Sequence, residues 1–132
     1  MSAAEAQSSV DPREVAQFEA MGRHWWSETG PMKALHRMNP VRVRWLRDRM
    51  AEHFAGPDGN ARDVGLPGVL TGLSILDIGC GAGILAEPLA RLGGAVTGID
   101  PADKNLEIAR AHAEEAGAEV SYRAVSAEAL SA

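Results

Sequence analysis

The residues LSILDIGCGAGILAEPLARLGGAVTGID, 73–100, contain in order an apolar strand, a glycine turn, a helix and a second strand that ends on an acid. Ser74 to Ile78 is a short run with two β-branched isoleucines, interrupted by Asp77, and Gly79-Cys80-Gly81-Ala82-Gly83 follows at once. That order predicts a strand running straight into a tight turn. Glycine has no Cβ, so Gly79, Gly81 and Gly83 can adopt positive φ and let a ligand come close to the main chain. The next helix, predicted over about 84–92, directs its first amide groups at the same place. Val96 to Ile99 forms a second strand and sets Asp100 at its carboxyl end, where open α/β sheets hold their ligands. The fold class is therefore α/β.

Asp77 narrows the ligand. A dinucleotide turn reads G-x-G-x-x-G, whereas this one is G-C-G-A-G with an acid two residues ahead. A carboxylate at the end of a buried strand is costly unless a cation or a hydrogen-bond donor meets it. S-adenosylmethionine carries a sulfonium and an α-ammonium and no phosphate, so it suits this carboxylate better than a pyrophosphate does. Asp100 can accept both ribose hydroxyls in either kind of site and supports a nucleoside without choosing which. The pattern D-x-G-x-G-x-G with the later acid resembles motif I and the post-I acid of class I methyltransferases. The alternatives are a nicotinamide-dinucleotide-binding domain and, more plainly, a glycine loop with surface acids in an ordinary α/β protein.

The chain has 132 residues, the length of one ordinary domain, yet only about three strands can be read before Ala132. Its formal net charge of −5 divides into +2 over residues 1–50 and −7 over the rest. Nucleic acid is thus a poor partner for the sheet region, and the front segment offers the one basic surface. Cys80 is the single cysteine, which excludes an internal disulfide and points to a reducing compartment. Its plain role is a small side chain filling the turn. No apolar run approaches the ~20 residues of a membrane span, and the polar, alanine-rich start lacks a secretory core, so a soluble or peripheral protein is expected.

Four segments are expected: a disordered tail over 1–10, a helical segment over 11–55, a linker over 56–72 and a partial cofactor-binding α/β domain over 73–132. Asp11-Pro12-Arg13-Glu14 opens a helix, with Asp11 as N-cap, Pro12 at the first position and Glu14 closing a capping box. Val15, Phe18, Met21 and Trp25 put one apolar stripe along a helix of about 12–26. Trp25 and Trp26 read equally as packing aromatics or as the lining of a substrate pocket. Asn39-Pro40 predicts a second N-cap and a helix to about Phe54, with Val41, Trp45, Leu46 and Met50 inward and Arg42, Arg44, Arg47 and Arg49 as a cationic surface. One arginine near that helix start suits the carboxylate of a methionine moiety, which a guanidinium binds in bidentate fashion. The linker, with GPDGN and LPG, shows no chemistry. Pro88 lacks an amide, leaves the Ile84 carbonyl without its helical donor and predicts a loosened first turn there. Gly93-Gly94 and Gly117 are expected to end helices, the second running over about 103–116 with Leu106, Ile108, Ala109 and Ala113 as its packing side. Val120 to Val125 reads as strand three, and Glu128 as a helix-start acid.

Taken together, FEAMGRHWWSETGPMKALHRMNPVR (18–42), LDIGCGAGILAEPLARLGGAVTGID (76–100) and the following DKNLEIARAHA resemble the ubiquinone-biosynthesis O-methyltransferase family over about two-thirds of the chain. The glycine loop alone marks a superfamily. The tryptophan pair followed by Leu35-His36 and Asn39-Pro40-Val41-Arg42 is more specific. The resemblance implies the N-terminal half of a doubly wound, Rossmann-like class I methyltransferase sheet preceded by a helical segment. It implies methyl transfer from S-adenosylmethionine to a phenolic oxygen of a polyprenylated ubiquinone precursor, with Arg42, Gly79 and Asp100 on the cofactor. Asp77, Gly81 and Gly83 join them from the reading of the loop. The general base is unassigned and no metal is implied. A cytoplasmic protein, peripheral at the inner membrane, is expected, without nucleic acid. Nothing after strand three matches the family. Should the strand order run 3-2-1 and stop, strand one presents an apolar edge suited to self-association. The alternative function is then a non-catalytic fragment that binds cofactor weakly or pairs with another chain.

Overall fold

The computed structural model describes residues 10–14, 16 and 24–131. Three parallel strands, β1 (Ser74–Ile78), β2 (Ala95–Asp100) and β3 (Val120–Ala124), lie side by side in the order β1-β2-β3. Ser74 pairs with Ala95 and Asp77 with Gly98, while Val96 pairs with Val120 and Asp100 with Ala124. The register brings the ends of β1 and β2 level, with Asp77 and Asp100 near the same end of the sheet. Around the strands run α1 (Lys33–His53), α2 (Ala86–Arg91), α3 (Asp103–Ala116) and the short α4 (Ala127–Ser131). Each parallel strand pair is joined by a crossover helix, α2 and then α3, as such pairs require.

Side chains alternate along the strands, so Ile75, Val96, Val120 and Tyr122 meet α2 and α3 in one core with Leu89, Leu106, Ala109 and Ala113. Leu76 and Ile78 take the opposite direction and are 48% and 62% exposed. Among the described residues, β1 pairs only with β2, so its far edge is open.

Gly93 and Gly94 end α2 as expected. Gly93 N–H donates to the Ala90 carbonyl and Gly94 N–H to that of Leu89, with Gly93 at φ +98°, the two bonds of a Schellman motif. Gly117, at φ +72°, closes α3 in the same region of backbone space. Helix α2 itself is shorter than the sequence predicts: residues 84 and 85 form a turn and the helix begins at Ala86, because Pro88 cannot supply the amide that would tie residue 84 into the helix.

The front segment departs further from expectation. Asp11 Oδ1 accepts the Arg13 amide at 2.9 Å and Pro12–Glu14 are helical, so the N-cap is present. Val15, Phe18, Met21 and most of the 1–10 tail lie outside the described residues. His24 to Trp26 form a tight turn rather than the end of an α-helix. Helix α1 starts at Lys33, six residues before the Asn39 cap predicted from the sequence, and carries Pro40 inside it. Pro40 removes one amide from the ladder, while His36 and Asn39, both bonded to residues outside the helix, hold the segment in line. The helix therefore turns Val43, Leu46, Met50 and Ala51 to the core. Val41 and Trp45, expected inward, are 60% and 59% exposed, with Arg49 above the Trp45 ring.

Residues 56–72 are tied down by one side chain. Arg62 donates to the carbonyls of Phe54, Ala55, Val69 and Thr71 at 2.7–3.0 Å. Val69 and Leu70, at the end of that segment, are buried in the main core.

Candidate functional site

Where β1 gives way to the glycine turn, the amides of Gly79 and Cys80 both donate to the Ile99 carbonyl of β2, at 2.8 and 3.0 Å. Asp100 completes the brace: one carboxylate oxygen accepts the Gly81 amide at 3.0 Å and the other the Ala102 amide at 2.9 Å. The turn thus hangs on the end of β2, and Asp100 lies 9% exposed beneath it with a lone pair on each oxygen still to give.

All three turn glycines have positive φ, at +72° for Gly79, +55° for Gly81 and +88° for Gly83. They serve different neighbours. A Cβ on Gly79 would meet nothing within 4 Å, so this backbone is open to a ligand. A Cβ on Gly81 would fall 2.8 Å from the Trp25 ring, and one on Gly83 would collide with Tyr122 Oη. Ligand approach, which the sequence suggests for all three, is thus left to Gly79. At the other two the space is taken by the protein's own aromatics.

Those aromatics fasten the front segment to the turn. Trp25 is buried and its Nε1 donates to Asn105 Oδ1 at 3.1 Å, while Trp26 Nε1 donates to the Ala82 carbonyl at 3.0 Å. His36 Nε2 bonds the Trp25 carbonyl at 2.6 Å. The Trp26 ring lies flat on His112, with centroids 3.5 Å apart, and His112 Nδ1 meets the fully buried Glu87 at 2.7 Å, which Arg91 also contacts at 2.7 Å. Both tryptophans are packing residues here. The i, i+4 spacing of Glu87 and Arg91 announces their own pair, but nothing in the sequence joins it to His112 and Trp26.

From α1, Asn39 Nδ2 donates at 2.8 Å to the Ile84 carbonyl, the acceptor that Pro88 deprives of a backbone donor. Its Oδ1 accepts Arg42 Nη2 at 2.7 Å. Arg42 is half-buried, and its Nε is buried without a hydrogen-bond partner. Burial pushes the Asp77 carboxyl above its ordinary pKa; the nearby Arg42 charge opposes that rise and Asp100 adds to it. Arg42 and Asp100, both distant from Asp77 in sequence, therefore bear on its charge at the tip of β1. Burial, with Asp77 and Asp100 beside it, pushes the Cys80 thiol up to about 12, which keeps it protonated and unsuited to nucleophilic attack.

A groove of about 210 Å³ opens beside Gly79, between Ile78, Ile99, Pro101 and the Val125–Glu128 segment. Small-molecule pockets usually span ~300–1,000 Å³, so these residues build one wall of a site rather than an enclosure. A larger trough, about 790 Å³, lies at the opposite ends of the strands by Ser74, Ala95 and Val120. Ligands of α/β sheets sit at the carboxyl ends, which decides for the groove at Gly79. No group of three or more His, Cys, Asp or Glu among the described residues is arranged to hold a metal ion.

A family model described as a methyltransferase domain matches residues 75–132. The ubiquinone biosynthesis O-methyltransferase of Methylocella silvestris is 59% identical over 94% of this chain and 48% of its own length. The protein of that name from a Methylobacterium species is 54% identical over 87% of the chain and 44% of its own. The chain thus spans about half the length of the curated relatives it matches. Among solved structures, the magnesium protoporphyrin IX methyltransferase of Synechocystis, crystallised with bound SAH, shares the fold with a TM-score of 0.58 at 24% identity, covering 83% of this chain and 46% of that one.

Proposed function

From the premise that the chain belongs to the ubiquinone biosynthesis O-methyltransferase family, we propose that it serves methyl transfer from S-adenosylmethionine to a phenolic hydroxyl of a polyprenylated ubiquinone precursor. When bound, the cofactor supplies a methyl carbon made electrophilic by sulfonium. The observation that carries the reading is that the Arg42 and Asp100 charges both bear on Asp77, two residues before the one open glycine of the turn. Their chemistry fits the group. The Arg42 guanidinium, with a buried and unpartnered Nε, suits a carboxylate, and Asp77 suits an ammonium or sulfonium. Gly79 admits close approach, and Asp100 keeps lone pairs for ribose hydroxyls. The side chains orient and neutralise; transfer then needs the phenolic oxygen held in line with the carbon–sulfur bond.

A polyprenylated substrate brings with it peripheral contact at the inner membrane from the cytoplasmic side. No helix among the described residues is long and apolar enough to cross a membrane. The charge of −7 over residues 51–132 supports a reading without nucleic acid. A second reading, a non-catalytic piece that binds cofactor weakly or pairs with another chain, is favoured by the open β1 edge with Leu76 and Ile78 exposed.

Titration calorimetry with S-adenosylmethionine, followed by a methylation assay on a catechol-type quinone precursor, tests both. Saturable binding that Asp77→Ala or Arg42→Ala weakens supports the methyl-donor site, and turnover or its absence separates the first reading from the second. Saturable NAD binding that survives Asp77→Ala would overturn the methyl-donor site.

A further inference from the structure

We infer that Asn39 is a positioning residue for the cofactor's amino-acid carboxylate: its side-chain amide, seated on the Ile84 carbonyl that Pro88 leaves without a backbone donor, holds the Arg42 guanidinium at the tip of β1. The role toward the carboxylate rests on the reading above; the brace itself rests on geometry alone. In the first turn of α2, Glu87 N–H donates to the Gly83 carbonyl at 3.0 Å, and the next bond of that ladder would run from residue 88 to Ile84. Residue 88 is proline, so the acceptor stands free of the helix. Asn39 fills the vacancy from α1 at 2.8 Å, with the hydrogen-bond quality of a main-chain amide.

This contact fixes the side chain's orientation. The Ile84 carbonyl can only accept, so the NH₂ of Asn39 must face it, and the amide oxygen is then aimed at Arg42 Nη2, 2.7 Å away. One residue thereby converts a missing helix bond into a defined position for a cation. An arginine has several freely rotating bonds, and holding one nitrogen removes much of the search that ligand binding would otherwise have to complete. The remaining nitrogens, including the unpartnered Nε, are left for other acceptors.

A three-variant comparison on the 132-residue chain separates positioning from mere support. Asn39→Ala orphans the Ile84 carbonyl and frees Arg42, so both thermal stability and S-adenosylhomocysteine affinity fall, the latter about tenfold. Adding Pro88→Ala returns an amide to residue 88, which closes the bond to Ile84. The double variant regains its melting temperature and keeps the weakened affinity. Its Asp77 carboxyl, followed by carbon-13 NMR titration, moves upward in pKa as it does in Arg42→Ala, because the guanidinium no longer rests beside it.

Recovery of affinity together with stability in the double variant would overturn the inference, as would an Asp77 titration there that matches the unaltered chain. If Arg42→Ala leaves cofactor affinity unchanged, the methyl-donor reading falls instead, and the Asp77 titration still decides whether Asn39 sets the guanidinium.

Discussion

Gly83 combines φ +88° with a place directly against Tyr122 Oη, so any side chain there meets both backbone strain and a buried ring. Gly83→Ala should lower unfolding free energy by about 2–4 kcal/mol in urea titrations, the sum of a left-handed alanine and an overpacked contact. Tyr122→Phe in the same chain should recover only the contact part. Asp77 makes the opposite prediction. Its pKa is raised in the folded state, mainly by burial, so the native form binds a proton more tightly than the unfolded one. Its contribution to stability is therefore greatest below the unfolded value and declines as pH rises through the folded one. At neutral pH Asp77→Asn should raise the melting temperature while weakening S-adenosylmethionine binding, which differential scanning fluorimetry and calorimetry would show together. For Cys80 the pKa of about 12 leaves on the order of 10⁻⁴ of the thiol ionised at pH 8, so a disulfide reagent should label it only after unfolding.

At the scale of elements, α2, α3 and the front segment meet at Glu87, which holds Arg91 and His112, while His112 in turn supports the Trp26 ring. Glu87→Ala removes a fully buried carboxylate with two partners and should cost about 3 kcal/mol, accompanied by greater acrylamide quenching of tryptophan fluorescence as Trp26 loosens. The strands, the glycine-ended helices and the acid at the end of β2 were legible in the sequence because each is set by local chemistry: alternation, missing Cβ atoms, chain order. Helix α1 was misread for the same reason. Asn39-Pro40 has the local form of a helix start, and what overrides it is a carbonyl 45 residues away. The orphaned Ile84 acceptor was visible in the sequence, but the residue that would satisfy it was not. Likewise the spacing of Gly81 and Gly83 foretold positive φ, and it could not say that Trp25 and Tyr122 would occupy the space. Val41 and Trp45 were assigned inward from apolarity alone, whereas the helix's rotation is set by Val43, Leu46 and Met50 on the core.

For the molecule as a whole, the β1 edge of the sheet is unpaired among the described residues and has two exposed apolar side chains on its strand, Leu76 and Ile78. Sedimentation velocity of the chain should show self-association that Leu76→Lys with Ile78→Lys lowers, since charge on an edge strand opposes pairing. The Arg62 clasp has a consequence of another kind. By binding carbonyls on both flanks of its own loop, it staples the exit of α1 to the approach to β1, so the distance between them does not depend on the residues at the loop's tip. Gly59, where an added Cβ would meet nothing within 4 Å, is then where the polypeptide tolerates being lengthened or nicked, and a reporter peptide grafted there would ride on the surface without disturbing the sheet below.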